Sequence, residues 1–247
     1  MTLEGFFKEN TKVALGFSGG VDSSYLLFAG LHYGADVRPY YIKTVFQPQF
    51  EFEDARKLAA HLCVELTIIE FDALRLQAVA ANPKDRCYHC KTALFGVLKE
   101  RAILDGYPVL IDGTNASDDV GDRPGMRALQ ELRVRSPLRE CGLSKDEIRR
   151  LSKEAGLFTW DKPAYACLAT RVPTDTPITA ELLSRVEGAE GALFKMGFTD
   201  FRVRVFHDAA RLQFTIKQME RAVAEHEAVV ENLRPFFETV LLDLKGR

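Results

Sequence analysis

The stretch that most restricts this chain runs over residues 13–32. An apolar run, 13–17, ends at Ser18, Gly19 and Gly20, and Asp22, Ser23 and Ser24 then open a Pro-free apolar stretch over 25–32. That order predicts a strand, a tight glycine turn and the N-terminus of a helix. Paired glycines admit positive φ and let a ligand approach the backbone closely, so that successive N–H groups converge on the oxygens of an anion. The first turn of the helix adds unpaired amides and the positive end of its dipole, and the hydroxyls of Ser18, Ser23 and Ser24 add donors. Asp22 would repel a bare phosphate, which predicts a Mg²⁺ ion beside it. The loop is not a Walker A motif, which ends in Gly-Lys followed by Ser or Thr. The plain alternative is a structural turn whose Ser or Asp caps a helix.

Downstream, strand and helix patterns alternate. Residues 36–44 read as a strand and 52–62 as a helix with Ala55, Leu58, Ala59 and Leu62 on one face. A strand over 64–71, a helix over 92–104 and a strand over 107–115 follow. This spacing predicts an α/β fold with a doubly wound parallel sheet, whose ligand crevice lies outside the carboxyl ends of the strands. Ser18 to Ser23 would sit there, and so would Gly113 and Thr114. The loop 115–125 carries Asp118, Asp119, Asp122 and Arg123, a solvated loop or a metal or substrate contact. A short strand over 132–138 and a capping box from Ser144 to Glu147 opening a helix over 148–155 complete this part. Three prolines, Pro163, Pro173 and Pro177, then preclude regular structure and mark a domain boundary. Beyond it a helix (179–196), two strands (201–206 and 211–216), a helix (218–236) and a last strand (240–244) read as a small α+β domain. The expected domains are therefore 1–172, binding nucleotide, and 173–247, binding substrate or a second copy.

Composition narrows the chemistry. With 47% hydrophobic and 28% charged residues and a net charge of −2, the 247-residue chain reads as an ordinary globular protein with no overall nucleic-acid footprint. No run approaches the ~18 apolar residues of a membrane span. The first ten residues carry acids and lack the apolar segment of a signal peptide, so a cytoplasmic location is expected. In a reducing compartment the five cysteines are not expected to form a disulfide framework. Cys87 and Cys90, spaced C-x-x-C, read as packed small hydrophobes, a redox pair, or half of a zinc site that His89 or a further Cys completes. Cys63 and Cys141 are expected to be structural.

The S-G-G-V-D-S-S loop resembles the pyrophosphatase (PP) loop of the N-type ATP pyrophosphatases. That resemblance implies ATP and Mg²⁺ at Ser18, Gly19, Gly20, Asp22 and Ser23, and attack on the α-phosphate with release of pyrophosphate. N-P-x-D-R-C-Y-x-C-K at 82–91 and W-D-K-P-A-x-A-C-L-A-T-R at 160–171, with R-V-R at 202–204, are similar to the LarE family. Membership would imply adenylation of a carboxylate on a pyridinium dicarboxylate mononucleotide and its conversion to a thiocarboxylate for a nickel-pincer cofactor. The resemblance leaves two sulfur sources open: Cys167 as a sacrificial donor, or a [4Fe–4S] cluster held by Cys87, Cys90 and Cys167. The mononucleotide needs a phosphate pocket. Arg202 and Arg204 alternate with Val203 and Val205 on one strand and so share a face, which suits that role. Arg171 is expected to contact substrate or adenylate, and Glu190 to bind a metal or position substrate. A homo-oligomer is expected, with neither membrane nor nucleic acid as partner. The rival readings are a PP-loop tRNA thiolase, a non-catalytic ATP- or metal-binding module, and a glutamine-fed amide synthetase.

Overall fold

The computed structural model describes residues 1–118 and 124–247. In chain order the elements are α1 (Leu3–Glu9), β1 (Lys12–Gly16), α2 (Val21–His32), β2 (Asp36–Lys43), α3 (Gln49–His61), β3 (Thr67–Glu70), α4 (Gln77–Ala80), α5 (Arg86–Leu104), β4 (Val109–Ile111), α6 (Pro124–Glu131), α7 (Pro137–Glu140) and α8 (Lys145–Glu154). They continue with α9 (Ala180–Lys195), β5 (Arg202–Phe206), β6 (Ala209–Gln213), α10 (Ile216–Ala224), α11 (His226–Leu233) and β7 (Val240–Leu242). The chain divides into two compact units, Met1–Asp72 with Asp85–Ala164, and Ala73–Lys84 with Tyr165–Arg247. By packing, then, the second unit starts at Tyr165 and takes in a segment of twelve earlier residues, which a single division at 172 does not describe.

In the first unit the sheet order is β3-β2-β1-β4, with every pair parallel. Side chains alternate across it, as the period of two requires. Val13, Leu15, Val37, Tyr41 and Ile111 join one core with Leu26, Leu27, Ala55, Leu58, Leu138 and Ile148. Ala14, Tyr40 and Leu110 face the other way, against Leu98 and Ala102 of α5. Helices thus cover both faces. Since β2 and β3 lie to one side of β1 and β4 to the other, the order reverses between β1 and β4, which is where doubly wound sheets bind ligands.

Four local expectations change. Helix α1 went unread in the sequence; Thr2 caps it by accepting the Gly5 amide at 3.1 Å, and Leu3, Phe6 and Phe7 are buried. The strand expected at 132–138 is a single bridge, Arg135 to Ile111, because Pro137 starts α7 and has no N–H for a ladder. The long helix expected over 218–236 bends at Glu225 (φ −98°, ψ 21°), and its halves bury Ala222 and then Val229 and Leu233. Cys63, expected in the core, is exposed at a positive φ of 55° in the turn closing α3. Cys141 does pack against the first core.

The second unit has a three-stranded sheet, β5-β6-β7, antiparallel then parallel. Its core gathers Leu183, Val186, Leu193, Phe198, Phe201, Val203, Phe214 and Phe237, with the Phe198 and Phe214 rings 4.8 Å apart. The early segment is tied in through Asn82, whose Nδ2 donates to the Pro173 carbonyl at 2.7 Å and whose own carbonyl accepts from the Asp175 amide at 2.9 Å.

Candidate active site

The glycine turn joins β1 to α2 at the switch point. Gly19 has φ +71°, and a Cβ there would stand 3.0 Å from the backbone of Ala55, so the turn admits only glycine without displacing α3. Its geometry is held by its own serines. The Ser18 and Ser23 hydroxyls lie 3.1 Å apart, Ser18 Oγ accepts from the Gly20 amide at 3.3 Å, and Ser23 Oγ donates to the Gly20 carbonyl at 3.3 Å. Helix α2 starts without a side-chain cap, which leaves its first-turn amides to an anion. The second loop of the crevice follows β4. Gly113 packs so closely that a Cβ would meet the Ser23 amide nitrogen at 2.9 Å. Thr114 and Ser136 hydroxyls donate to the buried Asp112 carboxylate, at 2.5 and 2.6 Å. Ser18, Gly19, Gly20, Ser23, Gly113 and Thr114 are therefore brought together in the first unit.

Asp22 gains two partners from outside the loop. Its carboxylate accepts from Lys145 Nζ at 2.5 Å and from Asn115 Nδ2 at 3.3 Å. Lys145 opens α8, where Ser144 forms the predicted capping box with Glu147, and the Lys145 amide donates to Ser117 Oγ at 2.9 Å. The sequence shows Lys145 only as a helix-start residue; proximity to the loop comes from the packing of α8 on α2. Of the acids in the 115–125 loop, Asp118 accepts from the Asn115 amide at 2.9 Å, while Asp119 and Asp122 lie outside the described residues. Beside Ser18 a cavity of about 140 Å³ is lined by Gly16, Phe17, Tyr40, Ile42, Leu94 and Phe95, among others, an apolar space at the carboxyl ends of β1 and β2.

The C-x-x-C pair lies on helix, not on loop. The Tyr88 and His89 amides both bond back to the Asp85 carbonyl, so α5 begins at Arg86 and carries Cys87 and Cys90 on its first two turns. Cys87 is exposed and accepts from Arg86 Nη2 at 3.7 Å; Cys90 is half-buried. Further along this unit, Arg149 of α8 donates to the carbonyls of Trp160 (2.7 Å) and Lys162 (2.8 Å), and Lys162 pairs with Asp54 at 2.7 Å, which shapes the start of the proline-rich loop.

Cys167 belongs to the second unit, half-buried just before a helical turn at Leu168–Arg171. Arg171 and Glu190 are both buried and paired, Nε to Oε1 at 2.8 Å and Nη2 to Oε2 at 3.2 Å. Arg171 Nη1 reaches the Ala166 carbonyl (3.0 Å), the Cys167 carbonyl (3.5 Å) and Thr170 Oγ1 (2.8 Å). Glu190 also accepts from the Val203 amide at 2.9 Å and from the Tyr165 hydroxyl. Burial and these partners make the pair a brace that joins α9, β5 and the Cys167 loop. Burial opposes the Arg171 charge, but hydrogen bonding and charge from Glu190 outweigh it and raise its pKa.

Arg202 and Arg204 do share one strand face. Burial first, then the like charges of Arg171 and Arg247, push Arg202 down to about 10. Arg204 is lowered by burial and by Arg171 and Arg211. Arg204 Nη1 donates to the Thr170 carbonyl at 2.6 Å and Nε to Gln213 at 2.5 Å. Arg202 is buried and Arg204 half-buried, a cationic group built beside the Cys167 loop. Tyr165 and Gln213, which take part in it, carry no signal in the sequence. Among the described residues no group of three or more His, Cys, Asp and Glu side chains is disposed to hold a metal ion.

A parallel sheet with a serine-glycine anion loop at its switch point defines a PP-loop nucleotide-binding domain. No protein-family model matches the chain. An uncharacterised protein of Synechocystis is 36% identical over 99% of this chain and 92% of its own. The pyridinium-3,5-bisthiocarboxylic acid mononucleotide synthase of Lactiplantibacillus plantarum is 30% identical over 99% of this chain and 90% of its own. The tRNA-specific 2-thiouridylase of Thermotoga petrophila is 24% identical, across 61% of this chain and 54% of its own. The chain belongs to the LarE family, ATP-dependent sulfur-transferring enzymes of the PP-loop class.

Proposed function

We propose that the chain activates a carboxylate of a pyridinium dicarboxylate mononucleotide with ATP and replaces its oxygen by sulfur, in the making of a nickel-pincer cofactor. The observation that carries this reading is the cationic group of Arg202 and Arg204 gathered around the loop of Cys167, in a chain that also has a complete PP-loop. A phosphate monoester would sit on Arg202 and Arg204, whose guanidiniums match its oxygens. ATP would enter with Mg²⁺, its base in the apolar cavity beside Ser18 and its pyrophosphate on the amides of Gly19 to Asp22, with Lys145 as a neighbouring cation.

The first step then runs by attack of a carboxylate oxygen on the α-phosphorus; the bond to pyrophosphate breaks and pyrophosphate leaves, giving an acyl-adenylate. In the second step a sulfur nucleophile attacks the acyl carbon and AMP leaves. If the nucleophile is the Cys167 thiolate, a thioester forms; removal of the Cα proton and cleavage of the Cβ–S bond then release the thiocarboxylate and leave dehydroalanine. The alternative, in which Cys87, Cys90 and Cys167 hold a [4Fe–4S] cluster and Cys167 keeps its sulfur, is supported by the donor chemistry and by the placing of Cys87 and Cys90 on the first turns of one helix. A net charge of −2 gives no support to a tRNA substrate.

The test is the intact mass of the anaerobically purified protein before and after turnover, with its iron content and absorption spectrum. Loss of one H₂S from Cys167 identifies the sacrificial route. Product with unchanged mass and iron-sulfur absorption identifies the cluster. Failure to release pyrophosphate from ATP in the presence of the mononucleotide would reject the reading altogether.

A further inference from the structure

The residue between the anion group and the cysteine loop is Tyr165. Its ring centroid lies 4.6 Å from the Arg171 guanidinium and 5.0 Å from that of Arg202, both within the range of a cation–π contact. Its hydroxyl donates to Glu190 Oε2, on the carboxylate that Arg171 also grips. Arg171 in turn holds the carbonyls of Ala166 and Cys167. One side chain therefore touches the cation offered to substrate and the brace that sets the Cys167 backbone. The like charges of Arg171 and Arg202 also repel one another, and an anion arriving on Arg202 would relieve that repulsion.

We propose that Tyr165 is a positioning residue that couples occupation of the anion pocket to the seating of the Cys167 loop, its ring forming the arm toward Arg202 and its hydroxyl the arm toward Glu190 and Arg171. The proposal rests on Arg202 and Arg204 being the phosphate pocket. The two arms make separable predictions. Removing the hydroxyl leaves the pocket but cuts its link to the loop; removing the ring weakens both.

The experiment is hydrogen–deuterium exchange of the peptide spanning 165–172 in the full chain, with inorganic phosphate as the probe and its affinity measured separately by titration calorimetry. In the unmodified protein, saturating phosphate slows exchange of this peptide by about threefold or more, the scale of a small local stabilisation. Tyr165→Phe keeps phosphate affinity within about twofold and loses the slowing. Tyr165→Leu loses the slowing and also weakens phosphate by about threefold to thirtyfold, the worth of a desolvated guanidinium–ring contact. A merely structural tyrosine would leave the phosphate response of both variants intact, and a Phe variant that responds like the unmodified protein overturns the coupling even if the Leu variant does not fold. Absence of phosphate binding to the unmodified protein, or binding that Arg202→Ala leaves unchanged, overturns the pocket and the coupling together; binding without slowing overturns the coupling alone.

Discussion

Lys145 and Glu190 show how much a single position gains from its surroundings. Lys145 is the first residue of α8 by local rule, yet its ammonium stands 2.5 Å from the one carboxylate of the anion loop. An anion in that loop would compete with Asp22 for it. Replacing Lys145 by Met is expected to weaken ATP by about tenfold to a hundredfold, the worth of one charged hydrogen bond; titration calorimetry giving unmodified affinity would remove Lys145 from the site. Glu190 sits on a helix, where a glutamate is ordinarily solvated, but here it is buried and accepts from Arg171, Tyr165 and the Val203 amide. Glu190→Gln strands the Arg171 charge in a buried site and is expected to cost about 3 to 5 kcal/mol of stability, read from urea unfolding. A cost below about 1 kcal/mol would mean that the brace is incidental.

At the scale of elements, the parts that could be read from sequence are those with strong local periodicity. The alternation of 13–17 and 36–44 between two cores, the Ser144 capping box and the alternating arginines of β5 all follow from two- and 3.6-residue repeats. The parts misread are those where one residue overrides the pattern: Pro137, which turns an expected strand into a helical turn, and Asp85, whose carbonyl starts α5 early and lifts Cys87 and Cys90 onto helix. Strand β5 also makes a prediction about pH. The depressed pKa of Arg202 means that the folded chain releases this proton below the unfolded one, so Arg202 itself favours folding more as pH rises past about 10, while the pocket loses a charge over the same range. Inorganic phosphate affinity is therefore expected to rise as the ion takes its second charge near neutrality and then to fall as pH climbs through about 10, a profile that calorimetry would check; a fall already complete near neutral pH would point to another titrating group.

On the scale of the whole molecule, the two units divide the proposed chemistry. The first carries the anion loop, Lys145, Cys87 and Cys90; the second carries Cys167, Arg202 and Arg204. Each ligand class should then protect its own unit. Mg²⁺–ATP is expected to slow hydrogen exchange over 18–24 and 112–118, and inorganic phosphate over 165–171 and 202–204. At a hundred times its dissociation constant either ligand adds about 2.7 kcal/mol to the stability of what it binds. Protection by ATP confined to the second unit would refute this division.

From the sequence alone came the class of fold, the anion loop and the motifs that mark the family, because each rests on short-range order: a glycine's φ, a strand's period, a spacing of cysteines along the chain. What tertiary structure decided is which charges meet. The pairing of Lys145 with Asp22, of Arg171 with Glu190, and the place of Tyr165 between two guanidiniums join residues that are 123, 19 and 37 positions apart or fewer, on elements brought together only by packing. Local preference carries no information about a partner that distant, whereas burial of opposite charges is tolerated only where the partner is present.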